Sequence, residues 1–330
     1  MKVAACNGKG LSGSTDRATH AWQSEAPSTR RWAAARWLAL LYWGAERAPW
    51  AANFSMSFFI ASAWLFSPRL RARTLDNAKW LLGCESTQKE RSRLAKAVIR
   101  NCYRFVLDVA RARREPMEVL RSRIESTHGE EHYQQARRTG RGLIVATAHL
   151  GSFEVGAAAL RDLEPNARIH IVFRRDLSGR FDDVRRELHE HLGLTEAPVD
   201  EGLNTWLQLR DALAKDDLVL IQADRVMPGD KGMRVPFIGG HILLPSGPVK
   251  LAALSGAPLL PVFALRERNG KIRLVIERPL NVENDRAAMH DRLVDLATVI
   301  EKHVRAQPEQ WLMLHRVWCE DVEVEPGEER

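Results

Sequence analysis

The sequence has few cysteines and no periodic glycine or proline. It also has no run of apolar segments of the kind that builds a polytopic membrane protein. Its four cysteines are Cys6, Cys84, Cys102 and Cys319. No two are spaced as Cys-x-x-Cys, which argues against a zinc ribbon or a dithiol redox motif. Free thiols in a reducing compartment are the expectation for a chain too large to need a disulfide scaffold. The 21 Gly and 15 Pro follow no fixed period, so a collagen is excluded, and no solenoid-type repeat is present. No apolar core follows Lys2 within the first 20 residues, so a secretory signal is not expected. What remains is a globular chain of 330 residues, 45% apolar and 28% charged, long enough for one large domain or two.

Charge is unevenly placed. The net charge is +7, from 49 Lys and Arg against 42 Asp and Glu. Residues 1–140 hold 24 basic and 12 acidic side chains, and the remainder holds 25 and 30. A basic first half suits a polyanion, either nucleic acid or an anionic membrane.

The order of segments is informative. Residues 1–29 have the composition of a loose tail. Residues 30–67 crowd Trp32, Trp37, Trp43, Trp50 and Trp64 among Arg30, Arg31, Arg36 and Arg47, and Arg69, Arg71 and Arg73 follow. From Trp50 to Ser67 there are 18 residues without a charge, the lower edge of what crosses a bilayer. Tryptophan beside arginine prefers the headgroup layer, so residues 30–73 are expected to be a helical, membrane-associating region that lies in or dips into a membrane. Residues 74–139 carry apolar positions at helical spacing, including Leu94, Val98, Ile99, Phe105, Leu107 and Val109, and form a helical lead-in to the domain at 74–320. From residue 141 the pattern alternates. Strands are expected at 143–148, 169–173, 217–223, 258–264 and 272–277, with helices at 203–215, 246–256 and 284–306. This predicts a layered α/β domain with a mixed central sheet. An acidic tail closes the chain at 321–330.

His149 stands just past the first of these strands, and Glu154 follows one helical turn later. Gly151 permits a tight turn and Ser152 can cap the following helix. A carboxylate bonded to one imidazole nitrogen fixes the tautomer and frees the other nitrogen as a base.

His149-x4-Glu154 after a strand resembles the His-x4-Asp/Glu signature of the lysophospholipid acyltransferase superfamily. The Glu form resembles its branch of late lipid A acyltransferases. Further blocks resemble that branch in the same order: Phe173-Arg174, Ala223-Asp224-Arg225, Val235 to Gly239, residues 245–263, Pro308-Glu309-Gln310-Trp311, and His315-Arg316-Val317-Trp318. The resemblance implies an O-acyltransferase that moves a fatty acyl group from an acyl carrier protein or coenzyme A thioester to a hydroxyl of a membrane lipid. A lipid A-like acceptor comes first, and no cofactor or metal is required. It implies His149 as general base with Glu154 orienting it, and Arg174 binding a phosphate. Asp224 and Arg225 would shape the far wall, and the Gly239-Gly240 turn would allow close backbone approach near an oxyanion. It further implies the inner membrane at its cytoplasmic face, held peripherally or by a single pass. The chain departs from the branch at Ser152-Phe153, at Asp224-Arg225 and at residues 244–248. These departures leave the acceptor open between lipid A, another glycolipid, an aminolipid and a pigment-linked lipid.

Two other classes compete. The high pI, about 9.5, fits a nucleic-acid binder, but the tryptophans cluster with the uncharged run, as membrane anchoring needs, so no nucleic-acid partner is expected. His128-Gly129-Glu130-Glu131-His132 matches the H-x-x-E-H pattern of inverted zinc peptidases, but a glycine inside the helix and a missing third ligand oppose it. His189 and His191 are expected on a solvated helix at 181–193. Gly229 and Gly232, with Asp230 and Lys231, lack a P-loop pattern.

Overall fold

The structure is a computed structural model and describes residues 49–174, 180–226 and 232–319. The tail at 1–29, the expected membrane-associating residues up to 48, loop residues 229–231 and the whole acidic end, 321–330, lie outside these.

Helix α1 (Pro49–Phe66) is the uncharged aromatic run. Pro68 opens α2 (Pro68–Leu82), where its missing N–H costs nothing. Helix α3 (Gln88–Ala112) starts with a capping box, in which Thr87 accepts from Glu90 N–H and the Glu90 carboxylate accepts from Thr87 N–H at 2.8 Å. Leu94, Val98, Ile99, Leu107 and Val109 of α3 are buried, as their spacing predicts. α1 lays one face on α3: the Phe59 and Tyr103 rings are 5.1 Å apart and Ile60 is buried. Trp50, Phe54, Phe58, Leu65 and Phe66 of α1 are exposed. No helix among the described residues is long and apolar enough to cross a membrane.

After α4 (Met117–Ser122) comes an element that the apolar pattern does not predict. Ile124–His128 lies within the expected helical lead-in but forms strand β1. Its sequence is polar, IESTH, and it pairs on one side only, so no apolar alternation marks it. Gly129 then adopts φ +81°, and α5 (Glu130–Arg137) begins. A Cβ at Gly129 would stand 2.0 Å from the Ile276 carbonyl oxygen, so glycine is required there. This break sets His128 on a strand and His132 on a helix, and it dissolves the zinc-peptidase spacing.

The expected strands form the sheet: β2 (Leu143–Thr147), β3 (Ile169–Phe173), β5 (Leu218–Gln222), β8 (Leu259–Arg266) and β9 (Ile272–Ile276). With β1 and a second short edge strand, β4 (Thr195–Pro198), the order is β1-β9-β8-β2-β5-β3-β4. All neighbours are parallel except β8 and β9. The connecting helices are α6 (Phe153–Leu163), α7 (Arg180–His191), α8 (Leu203–Leu213), α9 (Gly247–Ser255) and α10 (Arg286–Ala306), and β6 (Gly232–Phe237) and β7 (Gly240–Pro245) make a separate hairpin.

Central strand β2 is buried on both faces. Ile144 and Ala146 join a core with α8, α9, α10 and the hairpin, whereas Leu143 and Val145 join a core with α3, α6 and α7. That two-sided burial explains the unbroken apolar run LIVAT. Cys102, partly buried on α3, carries a free thiol.

Candidate active site

The carboxyl ends of β2, β5 and β3 lie side by side, and ligands of parallel sheets bind at such ends. Strands β2 and β5 are registered with Thr147 opposite Gln222. Two residues beyond each strand therefore fall next to one another, and these are His149 and Asp224. His149 Nδ1 is 2.8 Å from Asp224 Oδ1, and His149 N–H donates to Asp224 Oδ2 at 2.9 Å. The Trp311 indole N–H also donates to Oδ2, at 2.9 Å. Burial of Asp224 would raise its carboxyl, but the neighbouring His149, the indole and the His149 amide outweigh it and hold the group below the ordinary range. With Asp224 ionised, the shared proton resides on Nδ1 and Nε2 keeps its lone pair. His315 is close by, and its imidazole is pushed down to about 4 by burial, Arg225 and His149.

The loop carrying His149 is fixed from below. Gly151 has φ +69°, and a Cβ there would stand 2.2 Å from the Ala264 carbonyl oxygen. Ser152 N–H donates to that same oxygen at 2.8 Å. Ser152 does not cap α6 as its position predicts. Its hydroxyl donates to buried Asp108 at 2.7 Å, and Arg266 bonds both groups.

The carboxylate expected to orient His149 is placed otherwise. Glu154 is buried in the first turn of α6 and its Oε1 accepts from Arg185 of α7 at 2.7 Å, with Oε2 3.2 Å from His189 Nε2. Burial would raise its carboxyl, but Arg185 and His189 hold it down at about 2. His189 is buried rather than solvated; burial would lower its imidazole, and its bonds to Glu154 and Glu196 raise it instead. The partner of His149 is thus Asp224, which the resemblance gives only a wall position, while Glu154 anchors an arginine.

His149 opens into a cleft of about 830 Å³. Phe105 and Val106 of α3, Phe153, Trp206 and Leu207 of α8, and Leu251 and Leu254 of α9 give it apolar walls. Arg174, Arg185, Arg210, Arg225 and Lys250 bring cations, against one acidic lining residue, Asp182. Arg174 and Arg225 both line this cleft. Gly239 and Gly240 do not: they turn the β6–β7 hairpin, outside the cleft lining, and a Cβ at Gly240 would meet Trp318 and Trp80 at 2.8 and 2.9 Å. The small size of Gly240 serves aromatic packing, whereas Gly239 adopts φ +72° with open space where a Cβ would stand. Among the described residues no group of three or more His, Cys, Asp or Glu is arranged to hold a metal ion.

A charged pocket wall and an apolar interior, with a base at one side, suit a ligand that is part anion and part hydrocarbon. Comparison with known proteins points the same way. A family model described as bacterial lipid A biosynthesis acyltransferase matches residues 22–320. The chain is 28% identical over 199 residues to phosphatidylinositol mannoside acyltransferase of Mycobacterium tuberculosis, covering 59% of this chain and 60% of the relative. It is 26% identical over 195 residues to the protein of that name from Mycolicibacterium smegmatis, covering 58% of this chain and 62% of the relative. The matches thus span about three fifths of the length of these curated relatives.

Proposed function

The chain belongs to the bacterial lipid A biosynthesis acyltransferase family, and from that premise we propose that it is an O-acyltransferase moving a fatty acyl group from a thioester donor to a hydroxyl of a glycolipid. The observation that carries this reading is the His149 imidazole, backed by buried Asp224, lining an apolar cleft with cationic walls.

His149 Nε2 takes the proton of the acceptor hydroxyl as its oxygen attacks the thioester carbonyl. Asp224 stabilises the imidazolium that forms. The tetrahedral intermediate expels the thiolate as the C–S bond breaks, and His149 returns the proton to the sulfur. No cofactor enters the balance. The apolar walls take the acyl chain, and Arg174, Arg185 and Arg225 take phosphates of the donor's phosphopantetheine arm or of the acceptor. Exposed Trp50, Phe54 and Phe58 of α1, followed by Arg69, rest in the interface of an anionic membrane at its cytoplasmic face. The donor is an acyl carrier protein or coenzyme A thioester, and the acceptor is a glycolipid such as a lipid A precursor or, as the names of the relatives invite, a mannosylated phosphatidylinositol.

The test offers both donor types with both acceptors and with a total membrane lipid extract, using wild type and His149→Ala. The expected result is an acylated glycolipid from wild type, its mass naming acceptor and chain, and roughly a hundredth or less from the variant. Equal product from His149→Ala, or no product from folded wild type with any combination, overturns the reading.

A further inference from the structure

The segment Gln310–Leu312 lies far along the chain from both members of the dyad, yet it bonds each of them. Gln310 C=O accepts from Gly151 N–H at 3.0 Å, and Leu312 N–H donates to His149 C=O at 2.8 Å. Trp311 stands between them, bridged to Leu150 in antiparallel fashion. The Gln310 side chain grips the neighbouring strand end in both directions: its Oε1 accepts from Arg266 N–H at 2.8 Å, and its Nε2 donates to Arg266 C=O at 2.7 Å. The His149 loop is thus held between β8 and this segment by backbone bonds that leave it little freedom.

From that platform Trp311 reaches Asp224. We propose that Trp311 is a positioning residue of the dyad, its indole N–H fixing the Asp224 carboxylate so that Oδ1 alone faces His149 Nδ1. A carboxylate turns about one bond, and either oxygen could meet an imidazole. Here Oδ2 is engaged by two donors, the indole and the His149 amide, each at 2.9 Å. The indole is itself immobilised. It is 1% exposed, its ring lies 5.4 Å from Phe237 and meets Trp318 edge-on at 5.9 Å, and Trp318 in turn stacks on Trp80 of α2. An aromatic cluster drawn from three parts of the chain therefore aims one N–H at one oxygen. A tryptophan present only to fill space needs no such partner. Trp318, in the same cluster, gives its N–H to a backbone carbonyl, that of Phe237, at 3.1 Å.

This inference rests on the acyltransfer reading for its kinetic arm alone. Two variants remove the N–H: Trp311→Phe, and replacement of the indole by a benzothiophene ring, which keeps the shape and puts sulfur in place of N–H. Trp80→Phe is the matched control, an indole of the same cluster with no bond to the dyad. The first measurement is the low-field proton resonance of the His149 Nδ1–H, assigned by its loss in His149→Ala. It is expected to move or broaden in both Trp311 variants and to stay in place in Trp80→Phe. The second is kinetic: kcat is expected to fall roughly tenfold to a hundredfold, as loss of a hydrogen bond to a charged group predicts, with KM within about twofold. A resonance unmoved in the benzothiophene variant, or moved as far by Trp80→Phe, overturns the proposal. So does a kcat loss shared by Trp80→Phe. The resonance reports on Trp311 even where wild type transfers no acyl group, so failure of the functional reading and failure of this one are separable.

Discussion

Replacing Asp224 with asparagine changes one oxygen to nitrogen and nothing in volume, yet the geometry demands a large loss. Oδ2 of Asp224 accepts two N–H groups, from His149 and Trp311, and Oδ1 meets His149 Nδ1. An asparagine amide can sit in this site two ways. With its NH2 group in the Oδ2 position it faces two buried donors and leaves both unpaired, at about 1–3 kcal/mol each. With its carbonyl oxygen there, both donors are satisfied and the NH2 group faces Nδ1. The second arrangement wins by several kcal/mol, on the order of 2–6. It forces Nδ1 to accept and moves the ring proton to Nε2, where the base is needed. The wrong tautomer adds to the lost stabilisation of the imidazolium. In serine-protease triads the same exchange lowers kcat by about 10⁴, so a fall of roughly 10³–10⁴, or about 4–5.5 kcal/mol, is expected here. Steady-state kcat at saturating donor and acceptor measures it, and the ring 15N shifts of His149 report the tautomer directly. Glu154→Gln supplies the comparison. It loosens Arg185, so KM rises several-fold while kcat stays within about tenfold. A Glu154→Gln enzyme slower than Asp224→Asn, or an Asp224→Asn enzyme retaining a tenth of wild-type kcat, would refute the assignment of Asp224 as the partner.

The buried charges make further predictions. The Glu154 carboxyl is held down from 4.5 to about 2, so its contribution, at most roughly 3 kcal/mol, is present above pH 4.5 and is lost as pH falls toward 2. His189 is raised above 6.5, so its contribution is complete below that pH and is lost as pH rises through the folded value. Urea midpoints against pH are therefore expected to peak between about 4.5 and 6.5 for this pair, and Glu154→Gln flattens both limbs; a parallel profile in the variant rejects the linkage. Gly151→Ala puts a Cβ 2.2 Å from a carbonyl oxygen at φ +69° and should cost about 2–4 kcal/mol in urea unfolding. Gly140→Ala, at φ +62° with nothing within 4 Å, should cost about 1 kcal/mol, and equal losses would show that strain rather than the close approach decides. Phe54→Glu with Phe58→Glu removes two exposed aromatics from α1, each worth about 1.5–3 kcal/mol of burial, so sedimentation with anionic vesicles in high salt should weaken at least tenfold. Unchanged sedimentation rejects α1 as the contact.

How far the fold is legible depends on what each strand buries. β2, β3, β5, β8 and β9 show as apolar runs because the inner strands of a two-sided sheet have no polar face to interrupt them. The edge strands β1 and β4, IESTH and TEAP, have one neighbour each and carry polar residues, so periodicity passes over them. His189 fails for a related reason. Its helix, RFDDVRRELHEH, has a solvated composition, and only the packing of α7 against α6 makes a buried ion cluster of one turn.

The site divides along the same line, between what is local and what the sheet assembles. His149-x4-Glu154 is a local pattern, and it locates the base. It misleads about the partner because the left-handed turn at Gly151 starts α6 with Glu154 directed at α7, where Arg185 and His189 claim both oxygens. Asp224 is 75 positions from His149 and reaches it through strand register alone. Even so, a trace of that register is written in the chain. Thr147-Ala148-His149 and Gln222-Ala223-Asp224 share one form: a strand-end polar residue, an alanine, then the functional side chain. Both alanines are fully buried, and Ala223 N–H donates to Thr147 C=O at 2.8 Å. Two adjacent parallel strands that leave a sheet through a buried alanine must deliver their next side chains to the same place. Pairing such strand ends, instead of reading along one motif, would have found the carboxylate. Trp311 has no comparable trace, since nothing local to Gln310-Trp311 shows that its indole N–H ends on Asp224. That bond exists because the whole sheet and the last segment close around it.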